Sequence, residues 1–353
     1  MISKLIIAGG GTFGHIAPAL ALKKKFTEEG KKVYYFCAAR DKKFPFFKNE
    51  SNLYTLWLSG LPRSKNPFLF FLFFFQLFLS MIKSLFYFIK IRPQLLILTG
   101  GFMSFPFFFW AWVFRKKYYI CEQNSYPGLV ARIASKKAQK IFLSMKDFSG
   151  RLKGKKIVTG NPMVIKTPYS KEQGAEILNI PYTKERKWIG VLGGSQGAEA
   201  VNRWILENSE ELIQKGYSFL ISTGAKNYSK IREKITDKNI FIFDFVREMG
   251  AFYELSDYII CRSGASTISE LLYLNKKAVF IPYPYASDNH QYYNALFASE
   301  YLNCILIEEK DLKENRLIDT IQKLENDENK KQEISFKNAL ARIYEEVLDD
   351  FKK

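Results

Sequence analysis

A run of apolar residues that breaks directly into glycines occurs twice in this chain, once near its beginning and once just past its middle. The first reads Leu5-Ile6-Ile7-Ala8-Gly9-Gly10-Gly11-Thr12, the second Ile189-Gly190-Val191-Leu192-Gly193-Gly194-Ser195. A short apolar run bounded by glycine reads as a buried strand entering a tight turn. In an open α/β sheet that turn delivers the N-terminus of the next helix, whose unpaired N–H groups hold anions. Two such devices predict two Rossmann-like α/β domains with parallel sheets, facing each other across a cleft.

Further short apolar runs alternate with helical-length segments. In the first half, strands are expected at 5–8, 33–37, 95–98, 118–121, 141–143 and 157–158. In the second half they are expected at 188–192, 219–222, 240–243, 258–261, 278–281 and 304–307. The chain's 353 residues suit two domains. The boundary is placed after Gly160-Asn161-Pro162, giving residues 1–163 and 164–334. Residues 335–353 carry Leu340, Ile343, Val347, Leu348 and Phe351 near helical spacing, a closing amphipathic helix that could pack on either domain. The start of the chain reads as a first strand, since its apolar run is too short for a signal peptide. Cys37, Cys121, Cys261 and Cys304 stand apart with no C-x-x-C spacing, pointing to free thiols in a reducing compartment.

Charge divides the halves. Residues 1–164 hold 27 of the 53 Lys and Arg but 6 of the 35 Asp and Glu. That excess suits an anionic partner such as phospholipid headgroups or nucleic acid. In the same half no charge falls between Lys65 and Lys83, and residues 68–82 are phenylalanine-rich. Asn66-Pro67 reads as the N-cap and first position of a helix, and Pro93 limits its far end. The run falls short of the ~20 residues needed to cross a bilayer. A buried helix and a span remain open, but basic residues on both sides favour a helix lying in an anionic membrane interface. Phenylalanines interleaved with basic residues suit lipid better than a nucleic-acid groove, so no nucleic-acid partner is expected.

The first loop satisfies G-x-G-x-x-G through Gly9, Gly11 and Gly14. A dinucleotide site would also want an acidic residue ending the second strand, where Cys37-Ala38-Ala39-Arg40 stands; Arg40 keeps an NADP-dependent reductase open as an alternative. The chain has two histidines, His15 and His290, each beside a candidate ligand loop and each suited to general-base work. No D-x-D pair or His/Cys cluster appears, so neither a metal nor another tightly bound cofactor is expected.

Seven motifs then occur in a familiar order. They are Gly10-Gly11-Thr12-x-Gly14-His15, Gly100-Gly101-Phe102-x-Ser104, Glu122-Gln123-Asn124, Gly160-Asn161-Pro162 and Gly193-Gly194-Ser195-Gln196-Gly197-Ala198. Arg262-Ser263-Gly264-Ala265-Ser266-Thr267-x-x-Glu270 and His290-Gln291-x-x-Asn294-Ala295 complete the set. Over about residues 5–300 the chain resembles the MurG family of bacterial cell-wall glycosyltransferases.

The resemblance implies a GT-B fold and inverting transfer of N-acetylglucosamine from UDP-GlcNAc, a co-substrate. The acceptor it implies is the C4 hydroxyl of MurNAc in lipid I, giving lipid II for peptidoglycan synthesis. It implies a peripheral protein on the cytoplasmic face of the plasma membrane. By the same analogy Glu270 holds the ribose hydroxyls and the backbone near Val246 meets uracil. Ser195 and the helix from Gln196 hold the diphosphate, with Ala265, Ser266 and Thr267 on the same substrate and Val164 where the family places an arginine. Asn124 and Gln291 bind the sugar. Thr12, Phe13, Gly14 and His15 face the reacting centre, and Gly101 and Ser104 lie on the acceptor side. His15 and Glu122 are rival general bases. Phe13 replaces a family glycine and Cys121 a family histidine. A related GT-B glycolipid glycosyltransferase with another acceptor is the second alternative.

Overall fold

The computed structural model describes residues 2–44, 47, 50–62, 65–163, 169–193, 198–327 and 338–352. Val164, Ser195 and Gln196, with Gly194 and Gly197, lie outside the described residues. The chain forms two compact units, Met1–Met163 with Phe336–Lys353, and Val164–Ser335.

The first unit contains strands β1 (Lys4–Gly9), β2 (Lys32–Ala38), β3 (Leu53–Leu56), β4 (Leu95–Gly100), β5 (Lys117–Glu122), β6 (Lys140–Leu143) and β7 (Lys156–Val158). They pair in parallel in the order β3-β2-β1-β4-β5-β6-β7. Its helices are α1 (Phe13–Glu28), α2 (Pro67–Ile91), α3 (Ser104–Val113) and α4 (Leu129–Ala134). The pleat of β1 sorts its residues between two cores. Leu5 and Ile7 meet Ile16, Leu22 and Phe26 of α1, while Ile6 and Ala8 join Phe73 and Phe88 of α2 and Phe107 of α3.

The second unit repeats the design with β8 (Lys187–Leu192), β9 (Tyr217–Ser222), β10 (Ile240–Phe243), β11 (Tyr258–Cys261), β12 (Lys277–Phe280) and β13 (Cys304–Leu306). The order is β10-β9-β8-β11-β12-β13, again parallel. Its helices are α5 (Lys171–Leu178), α6 (Glu199–Gln214), α7 (Tyr228–Arg232), α8 (Met249–Leu255), α9 (Ala265–Leu274), α10 (His290–Ser299) and α11 (Leu317–Glu325). Ile189 and Val191 pack against Trp204 and Ile205 of α6 and Ile318 and Ile321 of α11. On the opposite face α8 comes so close that a Cβ at Gly190 would sit 2.7 Å from the Phe252 ring. In both sheets the strand order reverses beside the first strand, between β1 and β4 and between β8 and β11, where such folds bind ligands.

Every expected strand falls on an observed one, and β3 is additional. It is four residues long, at a sheet edge and largely part-exposed, so it lacks the apolar run that marks the others. The closing helix α12 (Ala339–Lys352) belongs to the first unit, with Ile343 and Val347 beside Phe26. The Lys140 ammonium lies 2.9 Å from Glu346 and 3.0 Å from Asp350 on that helix.

The helix expected from Asn66-Pro67 runs 25 residues as α2. The Asn66 side chain accepts from the Phe68 N–H at 3.0 Å, and Arg92 closes the helix in the left-handed region before Pro93. Its two faces are inverted relative to a soluble amphipathic helix. Gln76, Ser80 and Ser84 are buried, accepting from the Ser59 N–H, donating to the Trp57 carbonyl and accepting from the Trp110 indole. Phe71 is 67% and Phe78 62% exposed, in line with Phe68, Phe75, Ile82, Phe86 and Ile89. A buried core helix, one of the readings the sequence left open, does not fit this exposed face. By length and composition α2 could cross a membrane.

Candidate active site

At the carboxyl end of the first sheet the β1–β4 ladder slips between Ala8 and Gly9, bringing Gly9 opposite Gly100. The glycine loop that follows is clasped by the end of β2. The Asp41 carboxylate accepts from the Gly11 N–H at 2.7 Å and the Ala38 N–H at 3.1 Å, and Arg40 donates to the Gly11 carbonyl at 3.2 Å. Arg40, its side chain still 57% exposed, thus spends one donor on holding the loop. Thr12 ends the loop as the N-cap of α1, exposed and with no side-chain bond to its own helix. Phe13 is 42% exposed, so the loop takes its bulk on the outside.

His15 lies two residues into α1, and its carbonyl accepts from the Thr99 hydroxyl at 3.0 Å. Beneath its ring runs the Gly100-Gly101 backbone, with φ of +106° and +73°. A Cβ at Gly100 would lie 2.6 Å from His15 Nδ1, and one at Gly101 2.5 Å from the Gly10 carbonyl, so glycine is needed at both positions. Ser104 ties this floor to β1, donating to the Ala8 carbonyl at 2.9 Å and accepting from the Gly100 N–H at 3.2 Å. From the end of β5, Gln123 places Oε1 3.0 Å from His15 Nδ1.

Glu122 is 3% exposed and spends both oxygens on its own loop. Oε1 accepts from the Asn124 backbone and side-chain amides at 3.0 and 3.2 Å, and Oε2 accepts from the Gly128 N–H at 3.1 Å. The sequence-chosen Thr12, Phe13, Gly14, His15, Gly101, Ser104, Glu122 and Asn124 therefore gather at one end of one sheet.

The second unit brings its own set together at the ends of β11 and β12. Helix α9 opens at Gly264 with Ala265 buried, and Thr267 follows in its first turn. The buried hydroxyls of Ser263 and Ser266 have no hydrogen-bond partner among the described residues, an uncommon state for buried polar atoms. One turn beyond Ser266, Glu270 accepts from the buried Tyr253 hydroxyl at 2.5 Å. Gln291 at the start of α10 accepts from the Tyr283 N–H at 2.9 Å. Its neighbour His290 has Nδ1 2.8 Å from the Ser287 carbonyl, closing its own turn. The Val246 side chain is buried, and Phe245 beside it is exposed. Arg262 belongs to the scaffold: it donates to the Ile281 and Pro282 carbonyls at 3.1 Å each and pairs with Glu309. Asp41 and Tyr253 were invisible to motif reading, since neither lies in a motif and their partners stand 30 and 17 residues away.

Two family models match. The glycosyltransferase family 28 N-terminal domain covers residues 5–143, and the glycosyltransferase family 28 C-terminal domain covers residues 188–347. The "UDP-N-acetylglucosamine--N-acetylmuramyl-(pentapeptide) pyrophosphoryl-undecaprenol N-acetylglucosamine transferase" of Leptospira interrogans is 32% identical over 336 residues, 93% of this chain and 92% of that protein. The protein of the same name from Elusimicrobium minutum is 32% identical over 303 residues, 83% and 82% of the two chains. Among solved structures, Acinetobacter baumannii MurG superposes with a TM-score of 0.68 at 20% identity, over 97% of this chain and 99% of that one. The UDP-GlcNAc 2-epimerase of Neisseria meningitidis gives 0.64 at 17% identity, over 98% and 100%. These likenesses identify the two-domain GT-B fold.

Proposed function

Because the chain belongs to the MurG family within the family 28 glycosyltransferases, we infer that it transfers N-acetylglucosamine from UDP-GlcNAc to the C4 hydroxyl of MurNAc in lipid I. The acceptor oxygen attacks the anomeric carbon, the bond from that carbon to the UDP phosphate oxygen breaks, and the sugar is inverted to a β-1,4 link. His15 takes the hydroxyl proton. It is preferred over Glu122, whose oxygens are already held by Asn124 and Gly128. The observation that carries this choice is the imidazole resting on the Gly100-Gly101 floor at the switch point of the first sheet.

The second unit takes the donor. The start of α9, with the hydroxyls of Ser263 and Ser266 unpartnered among the described residues, fits an anionic, hydroxyl-rich ligand. Glu270 has the two acceptor oxygens that a ribose diol needs, and Gln291 supplies an amide for the sugar. The backbone at Val246 meets uracil, and Ser195, Gln196 and position 164 complete the donor set by family analogy. No tightly bound cofactor is required, since helix N-termini and loop N–H groups stabilise the departing diphosphate.

The acceptor is held at a membrane. The outward phenylalanines of α2, with Lys83 and Lys90 on the same helix and Arg115 and Lys116 after α3, support peripheral binding to the anionic cytoplasmic face of the plasma membrane. A donor and acceptor panel tests the reaction. UDP-GlcNAc with a lipid I analogue should give product, and UDP-glucose with diacylglycerol none; the reverse result would assign the chain to another glycolipid synthesis.

A further inference from the structure

We propose that Gln123 is a positioning residue whose side-chain amide fixes the His15 proton on Nδ1 and leaves Nε2 as the atom that accepts a proton. This rests on the reading of His15 as the base. The Gln123 amide fits only one way round. Its Nε2 donates to the Cys121 carbonyl at 2.9 Å, and turning it over would set two acceptor oxygens against each other. Oε1 therefore faces His15 Nδ1 at 3.0 Å. An amide oxygen offers only lone pairs, so the hydrogen in that contact belongs to the imidazole. In a neutral imidazole the bond made by one nitrogen decides the role of the other.

The amide end of this contact is buried. Gln123 is 1% exposed, and the Gly100 backbone lies against the Nδ1 and Cε1 edge of the ring. The nearby charged groups are engaged elsewhere: Glu122 with Asn124 and Gly128, and Arg40 and Asp41 with Gly11. Among the described residues Gln123 is thus the side chain that sets the imidazole's hydrogen. A base in the wrong tautomer would present an N–H to the acceptor hydroxyl, and elsewhere such a fault costs roughly 10⁴ in kcat.

With two histidines in the chain, imidazole ¹⁵N NMR reads the tautomer, His15 being assigned by its loss in His15→Ala. Gln123→Leu should replace the single Nδ1–H signature by a mixture and lower kcat by about 10²-fold, with the KM for UDP-GlcNAc within about twofold. Gln123→Glu keeps the acceptor facing Nδ1 but sets its second oxygen against the Cys121 carbonyl, so it should restore the Nδ1–H signature and only part of the rate. Its carboxylate should move the acid limb of the rate profile up by about one pH unit. An unchanged tautomer in Gln123→Leu, or in Gln123→Glu an acid limb and ¹⁵N titration that both stay put, would overturn the positioning role. A scrambled tautomer with kcat intact would overturn the reading of His15 as the base.

Discussion

Burial pushes the Glu270 carboxyl up to about 7, and the Tyr253 hydroxyl draws it part of the way back by donating to the ionised form. The folded value lies above the unfolded one, so this group's contribution to folding is fully present below the unfolded pKa and is lost as pH rises through about 7. On the proposed ribose-binding role of Glu270, donor binding should run the opposite way, because ribose hydroxyls donate and need the carboxylate. Calorimetry with UDP-GlcNAc, whose diphosphate diester does not titrate in this range, should show affinity weakening about tenfold from pH 8 to pH 6. Glu270→Gln should flatten that dependence and Tyr253→Phe should move it to higher pH; identical profiles for wild type and Glu270→Gln would remove Glu270 from the donor site. The sequence offered Glu270 through its motif but not Tyr253, because the Tyr253 contact is set by how α8 packs rather than by spacing. For the same reason Gln123 could be quoted in a motif without its partner, 108 residues away in the chain.

At the scale of elements, α2 shows how much composition reveals and where it stops. The charge-free run, Asn66-Pro67 and Pro93 marked both ends of the helix. Which rings face out depended on Gln76, Ser80 and Ser84 finding partners on the protein side, and those partners come from the segment after β3 and from α3. Burying one phenylalanine is worth roughly 2 kcal/mol, more than a tenfold change in affinity. Phe71, Phe75 and Phe78 changed together to serine should therefore weaken binding to vesicles containing anionic lipid by at least about 100-fold. The melting temperature should hold, since all three rings are already exposed. A triple variant that unfolds would show these rings to be core, and one that still binds would move the membrane contact elsewhere. High salt should weaken the wild type as well, because each Lys or Arg near the surface contributes about 1 kcal/mol that screening removes.

Across the whole molecule the repeated strand-to-glycine turn made two parallel sheets legible, and the strand orders follow from the same βαβ logic twice over. The charge asymmetry separates the two copies, and under the proposed function the basic, phenylalanine-rich unit takes the lipid-linked acceptor and the other the nucleotide. The His15 contacts with Thr99, Gly100 and Gln123 all lie within the first unit. The Tyr253–Glu270 pair lies within the second. Substitutions in the two units should accordingly fail in different ways. With His15 the base, as proposed, His15→Ala removes a group needed only while the hydroxyl loses its proton, so turnover should fall by about 10²–10⁴ with UDP-GlcNAc affinity unchanged. With Glu270 on the donor ribose, as proposed, Glu270→Ala removes an acceptor that acts in ground state and transition state alike, so donor affinity and kcat/KM should fall together while kcat at saturating donor is largely kept. Measured by calorimetry beside steady-state kinetics, a His15→Ala variant that loses donor affinity as fully as turnover would mean that the first unit also binds the nucleotide, and the division of labour drawn from charge and contacts would be wrong.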